Sequence, residues 1–453
     1  MTEEMEIKFE NLSYLFENHE FAKLKTLFND FEPIDLASFM ENNLDDKEKI
    51  VFFRLLPKEV ASSVFVELDA DVKEDLIKAF SDTELKNVIE EMFLDDTVDV
   101  IEEMPANVVK RILKASDIEN RKIINELLNY PEDSAGSIMT TEYVSLSENL
   151  TTEEAIEKIR KVGVDKETIY TCYITDDKKH LVGVTTVRKL LLADKGERVK
   201  DIMDSNVITA RTIDDKENVA LKLSKYGFLA LPVIDKEGCI VGIVTVDDAV
   251  EVIKEEAEED IQKMAAIVPS EKPYLKQSIF SIWRSRVPWL ILLLLASTFT
   301  SMVLAHYEER LSLVLTAFVP MLMGAAGNAG GQTSVTIIRA IAVGEIKFKD
   351  SLKVLLRELL VSLIVGLAVA VVCFLKILLI DNLYNEINLQ TNLVISSVCA
   401  ISIVMAKIVG CILPLVAKQV KLDPAVVASP LMTTIVDVLS LVIYCSLAIA
   451  ILG

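Results

Sequence analysis

Residues 246–268 read VDDAVEVIKEEAEEDIQKMAAIV, and this stretch decides how the chain is built. Between Asp247 and Asp260 it carries eight acids and one base. Such runs are usually solvated or disordered. Here Val250, Ile253, Ala257, Ile261 and Met264 keep helical spacing, so one face should pack. Glu251, Glu255, Glu256 and Glu259 crowd one another and repel at neutral pH. Dissolved salt or a bound divalent cation can screen them. The helix joins two unlike halves, and a cation bound there would lie directly before the first membrane span.

The asymmetry is one of charge. The chain has 453 residues, 51% hydrophobic and 26% charged, with a net charge of −22. That length is room for two to four domains at roughly 100–200 residues each. Mean hydropathy is +0.37, too apolar for a chain so acidic to be one soluble globule. Residues 1–280 hold 60 acids and 35 bases, a net −25; residues 281–453 hold 9 and 12, a net +3. A wholly soluble enzyme and a disordered chain are excluded. Nucleic acid is a poor partner for the acidic half, because phosphate repels carboxylate. The opening MTEEMEIKFENL has no apolar leader, so the acidic half is expected in the cytosol. The six cysteines form no CxxC pair and read as free thiols.

Downstream of the acidic helix, apolar runs recur at Val287–Ala305, Leu311–Ala326, Leu359–Leu375, Leu393–Val416 and Ala425–Leu452. Five spans of a bilayer are expected, the second breaking at a glycine-rich segment. Lys276, Arg284 and Arg286 precede the first. Arg339, Lys347, Lys349, Lys353 and Arg357 lie between the second and third, and Lys418 and Lys421 between the fourth and fifth. The other loops hold Glu308, Glu309 and Arg310, then Asp381 and Glu386. Basic loops stay inside, so the N-terminus is placed inside and the C-terminus outside.

Two polar features mark these spans. Asp437 stands alone at mid-span, where a carboxylate costs at least ~2.5–3.5 kcal/mol unless it meets water or a partner. Lys407 is either that partner or a side chain reaching back to the cytosolic surface. Pro320-MLMGAAGNAGGQTS gathers Gly324, Gly327, Gly330 and Gly331 around Asn328. It reads as broken helix lining a wet path, or as close packing through small residues such as Gly327 and Gly331.

Upstream, residues 1 to about 130 read as consecutive amphipathic helices, with starts at Ser81 and near Pro57 and Pro105. Residues 138–253 alternate strand-like and helical runs, and repeat. Ile138-Met139 recurs as Ile202-Met203, and the VG of Val182-Gly183 as Val241-Gly242. Tyr170-TCYI, Leu181-VGVTT, Ala230-LPVI and Ile240-VGIVT are the strands expected. The repeat strongly resembles a tandem pair of CBS domains. Such pairs often hold adenosine nucleotides, through a glycine–threonine–aspartate pattern met here by Gly242, Thr245 and Asp248. In the first unit Arg188 stands where that aspartate would be. Arg188 and Phe228 complete the nucleotide candidates, for ATP or another adenosine nucleotide.

The order of parts, with Gly327-NAGGQ, Asp423-PA, Pro430, Thr433-Thr434 and Asp437, resembles the bacterial MgtE magnesium transporter/channel family. Leu94-DDTVD and the acidic helix match as well. The resemblance implies a multidomain membrane protein. Its parts would be an acidic superhelical domain (1–130), CBS domains (138–200 and 201–253), a plug helix (247–268) and a five-helix pore domain (276–453). It implies a homodimer in the bacterial plasma membrane, with a pore at the dimer axis. Asp437 would attract hydrated Mg²⁺, with Gly324, Gly327, Asn328, Pro430 and Thr434 lining the path. Asp95 and Asp99 would face Asp248 and Glu251. Glu256, Glu259 and Asp260 would face Asp423, and Glu217 joins the candidate ligands. High cytosolic Mg²⁺ would bridge these acids and shut the pore. Departures are Gly227, where relatives carry an acid, and Ser429, where some carry Asn. Other readings are a carrier for Co²⁺, Mn²⁺ or Ni²⁺, which the lack of His and Met near Asp437 disfavours, and a membrane-anchored nucleotide sensor without transport. His19, His180 and His306 are scattered, and no nucleophile–base set supports an enzyme.

Overall fold

The computed structural model describes residues 3–270, 274–307, 311–383, 387–427 and 429–452. Glu308, Glu309, Arg310 and Glu386, used above to orient the spans, lie outside the described residues, as do the side chains of Lys276 and Ser429. The chain divides into two compact units, Met1–Ile253 and Lys254–Gly453.

The first unit opens with ten short helices: α1 (Glu3–Glu17), α2 (Phe21–Leu27), α3 (Pro33–Asn43), α4 (Asp46–Leu55), α5 (Lys58–Glu67), α6 (Ala70–Ala79), α7 (Asp82–Ile89), α8 (Leu94–Glu103), α9 (Ala106–Ala115) and α10 (Ile118–Leu127). Local chemistry sets their ends. Asp45 with Glu48 and Ser81 with Glu84 form capping boxes, satisfying amides that the first turn leaves free. Pro57 and Pro105 are N-caps, one position ahead of the helix. Phe9, Phe28, Phe39 and Phe52 meet inside the core, with Phe28 and Phe52 5.3 Å apart edge to face.

Two three-stranded sheets follow. The first unit of the repeat runs β1 (Tyr143–Ser147), α11 (Thr152–Val162), β2 (Thr168–Thr175), β3 (Leu181–Thr186) and α12 (Val187–Leu192), and α13 (Val199–Ile202) leads into the second. The second runs β4 (Ala210–Arg211), α14 (Lys216–Tyr226), β5 (Ala230–Ile234), β6 (Ile240–Thr245) and α15 (Val246–Met264). In each sheet the outer two pairings are parallel then antiparallel. The opening strands β1 and β4 belong to the βαββα unit that the CBS resemblance implies, but, five and two residues long, they could not be located in the sequence.

The repeated IM and VG motifs have a joint explanation. A Cβ at Gly183 would lie 2.5 Å from Met203 Sδ, and one at Gly242 would lie 2.7 Å from Met139 Sδ. Each methionine seats on the glycine of the other repeat. Paired backbone bonds fix the exchange: Thr140 with Ile243, and Val184 with Asp204. Tyr173, Ala230, Ile240 and Ile243 bury the contact between the sheets.

The second unit holds five helical stretches long and apolar enough to span a membrane: Ile279–Tyr307, Leu313–Ala342, Phe348–Leu383, Leu389–Gln419 and Pro430–Leu452. Their main helices are α16 (Ile279–Tyr307), α17 (Leu313–Thr316), α18 (Val319–Ala342), α19 (Ser351–Leu379), α20 (Leu389–Gln419) and α21 (Ser429–Leu452). The glycine-rich segment is not a break. Helix α18 runs through it for 24 residues, and the chain instead turns ahead of it, between α17 and α18. The small residues let backbones touch. A Cβ at Gly330 would lie 3.0 Å from the Ala406 carbonyl oxygen, and one at Gly410 would collide with the carbonyl of Gly330.

Candidate functional site

Helix α8 begins LDDTVD, placing Asp95, Asp96 and Asp99 on its first turns while Leu94, Val98 and Ile101 anchor the opposite face. The start of α15 brings Asp248 and Glu251 to them, and Glu142 and Glu167 close the group. Burial, then the charges of Asp96, Asp248 and Glu167, pushes Asp95 up to about 8. Burial, with Asp248 and Glu142, takes Asp96 to about 6. Asp99, the most exposed of the three, reaches about 7, through desolvation and then through Asp96, Asp248, Glu102 and Glu251. Glu167 is raised to about 7 by burial and by Asp247, Asp96 and Asp248. Burial raises Asp248 too, against the hydroxyl of Thr245, which donates to it at 2.5 Å.

Among the described residues, no counter-charge settles this cluster. Lys73 lowers Asp96, but its amine is spent on Glu103 at 3.2 Å. Asp95 Oδ1 is buried without a hydrogen-bond partner. Buried polar atoms are normally partnered, so an orphan oxygen among carboxylates fits a site that can hold a cation. Oxygen-only donors suit a hard ion such as Mg²⁺ or Ca²⁺. The structure places Asp95, Asp99, Asp248 and Glu251 in one cluster, and adds Asp96, Glu142 and Glu167, which the sequence reading did not name. Asp96 was readable in LDDTVD; the two glutamates come from loops flanking β1 and β2, and only the fold delivers them.

In the second unit Lys263 Nζ lies 2.7 Å from both Glu259 and Asp423. Burial lowers the amine's pKa, but the bonds to Asp423 and Glu259 outweigh it and raise it. Asp260 is raised by burial and by Asp423. Glu259 and Asp260 thus lie near Asp423 in this unit, with Lys263, which the sequence reading did not include, bridging Glu259 and Asp423. Glu256 is half-buried on the same helix, and Glu217 is half-buried on α14.

Asp437 lies half-buried on α21, with no hydrogen bond or ion pair among the described residues. A Cβ on Gly327 would lie 3.0 Å from Thr433 Cγ2 and 3.9 Å from Asp437 Oδ1, so α18 passes against the carboxylate. Gly324, Asn328, Gln332 and Thr336, four apart, stay exposed along α18 in the single chain. Pro430 and Thr434 are half-buried two turns and one turn ahead of Asp437. Lys407 neither pairs with Asp437 nor reaches for the surface. It is 7% exposed, and its amine donates to Thr333 Oγ1 at 2.8 Å and lies 3.5 Å from Glu358 Oε2. Glu358 lies just ahead of the apolar run Leu359–Leu375, yet it sits inside α19, because that helix starts at Ser351.

The nucleotide candidates are spread over both CBS repeats. Thr245 and Asp248 are bonded to each other at the start of α15. Arg188 is exposed beside Thr186 and Lys189 in a surface cleft of about 530 Å³. Phe228 stacks on Tyr226 at 5.5 Å, just after Gly227. Gly227 caps α14 with φ +65°, which accounts for a glycine where an acid was expected.

A divalent cation transporter family model, MgtE, matches residues 319–447, the MgtE intracellular N domain matches 31–133, and CBS domains match 135–196 and 199–255. The magnesium transporter MgtE of Thermus thermophilus is 35% identical over 94% of both chains. The chain belongs to the MgtE family. The Bacillus subtilis magnesium transporter MgtE is 30% identical over 96% of this chain and 95% of its own. A crystal structure of the cytosolic domain of the Mg²⁺ channel MgtE in complex with ATP matches with TM-score 0.51 at 35% identity, covering 53% of this chain and 98% of that one. The soluble part of a magnesium transporter matches with TM-score 0.53 at 31% identity, covering 56% and 99%. Members of this family are multi-pass membrane proteins, and this chain's N-terminal domain is cytosolic.

Proposed function

We propose that this chain carries Mg²⁺ across a cell membrane and that cytosolic Mg²⁺ shuts the path. The observation that carries the first half is Asp437, a mid-span carboxylate without a counter-charge among the described residues, faced by the glycine surface of α18. Magnesium gives up its waters reluctantly, so a wet carboxylate with carbonyls and small residues around it suits the hydrated ion. The exposed stripe of Gly324, Asn328, Gln332 and Thr336 would be costly against lipid. A second copy of the chain meeting it across a water-filled axis removes that cost, which supports a homodimer with the C-terminus outside.

The second half rests on the acids. A divalent ion among Asp95, Asp99, Asp248 and Glu251, with Asp96, Glu142 and Glu167 beside them, would neutralise a cluster that otherwise repels itself. Glu256, Glu259, Asp260 and Asp423 would form another such group, and Glu217 a further ligand. Ions bound there favour the closed arrangement by their difference in affinity between the two states. When Mg²⁺ falls, repulsion loosens α15 and the path opens. The ATP-bound relative supports an adenosine nucleotide near Thr245, Asp248, Arg188 and Phe228.

Divalent-ion flux into vesicles holding the full chain tests the path. Wild type should pass Mg²⁺, and Asp437→Ala should not. Unchanged flux in the variant refutes the assignment of Asp437. Efficient Co²⁺ or Ni²⁺ flux without Mg²⁺ flux would favour the carrier for softer metals.

A further inference from the structure

Helices α18, α19 and α20 are tied by one buried polar cluster that the ion path does not use. Lys407 of α20 is 7% exposed. Its amine meets Thr333 Oγ1 of α18 at 2.8 Å and Glu358 Oε2 of α19 at 3.5 Å, and Thr333 donates to the same Glu358 oxygen at 3.3 Å. Thr333 is 2% exposed. Ionisable residues inside a span are costly and usually serve a function. Apolar side chains would pack these helices at lower cost, since a buried ion pair often contributes little net stability. What such a pair supplies is direction: it is satisfied in one register only.

The register matters because of its neighbours. Ala406, next to Lys407, faces Gly330, three residues before Thr333: a Cβ at Gly330 would lie 3.0 Å from the Ala406 carbonyl oxygen. Gly410, three residues after Lys407, abuts the Gly330 carbonyl. One turn before Gly330 is Gly327, against Thr433 and Asp437. A slip of α18 along α20 would therefore break both bonds of Thr333, to Lys407 and to Glu358, and move Gly327 off Asp437 at the same time.

We propose that Glu358 and Lys407 are positioning residues for ion passage, their bond to Thr333 holding α18 in the register that keeps Gly327 against Asp437. The inference rests on the transport reading above.

The test is concentration-dependent Mg²⁺ flux in vesicles with the full chain. The variants are Glu358→Gln, Lys407→Met, the neutral pair Glu358→Gln with Lys407→Gln, and the reversed pair Glu358→Lys with Lys407→Glu. Both single variants should shift KM the same way, at least threefold, and lower the maximal flux about tenfold. The reversed pair should recover half or more of the maximum. The neutral pair leaves no charge unpaired, so it keeps a folded chain to measure, and it should still shift KM at least threefold. A wild-type KM in the neutral pair overturns the proposal. So do single variants that shift KM in opposite directions, which would mean a field acting on the ion rather than a shared register. Absence of Mg²⁺ flux in wild type would refute the transport reading instead.

Discussion

Charge is handled in opposite ways at two places in the molecule. Around α8 and the start of α15, Asp95, Asp96, Asp99, Glu142, Glu167, Asp248 and Glu251 gather with Lys73 held elsewhere. Between α18, α19 and α20, Lys407 and Glu358 answer one another directly. The membrane pair is complete without a ligand. The cytosolic cluster is not, and its incompleteness is what makes it a candidate sensor. Asp437 belongs with the incomplete kind, although it lies among the helices of the complete one.

The contrast predicts how variants should rank. The largest effect is expected at Asp437, where alanine should reduce Mg²⁺ flux to background, read as tracer uptake into vesicles. Next comes the cytosolic cluster. Mg²⁺ at about a hundred times its dissociation constant should stabilise the ion-binding form by ~2.7 kcal/mol. Limited proteolysis of the full chain should therefore slow with Mg²⁺ in wild type, and stay fast in an Asp95→Asn, Asp99→Asn, Asp248→Asn triple variant. Equal protection in both would dissolve the distinction between the two regions.

A smaller effect is expected from pH. Asp95, Asp96, Asp99 and Glu167 sit at about 8, 6, 7 and 7 in the ion-free fold, against ~4 in an unfolded chain. Between pH ~4 and ~8 the folded chain thus holds protons that the unfolded chain has released. Stability of the ion-free cytosolic half should fall as pH rises through that window and be greatest below it. Hydrogen exchange over Leu94–Glu103 reads this, and added Mg²⁺ should flatten the slope. The smallest effect is expected at Lys263, whose amine already bridges Glu259 and Asp423. Lys263→Met should lower the Mg²⁺ needed for half-maximal protection a few-fold, because the ion no longer competes with a resident cation.

The sequence was most legible where local chemistry decides. Span number, the CBS repeat and the acidic helix followed from apolar runs, motif offsets and charge counts. Asp95 and Asp99 of LDDTVD were named through the family resemblance, while Asp96 on the same helix turn was not. Three things needed the fold. Glycines weaken an isolated helix, yet α18 stays intact because tight packing on Ala406 and Gly410 repays the cost. Lys407 found Glu358 only because α19 begins well before its apolar core, carrying a span-end residue inward. Glu142 and Glu167 reach the acidic cluster from loops, and no periodicity predicts where a loop delivers a side chain.

The central claim is that charge left without a protein partner marks where Mg²⁺ acts. It is tested most directly by measuring Mg²⁺ flux in vesicles while Mg²⁺ on the cytosolic face is raised, for wild type and for the Asp95→Asn, Asp99→Asn, Asp248→Asn variant. The account predicts that wild-type flux falls steeply and the variant's persists. Flux that falls identically in both, or in neither, would contradict it.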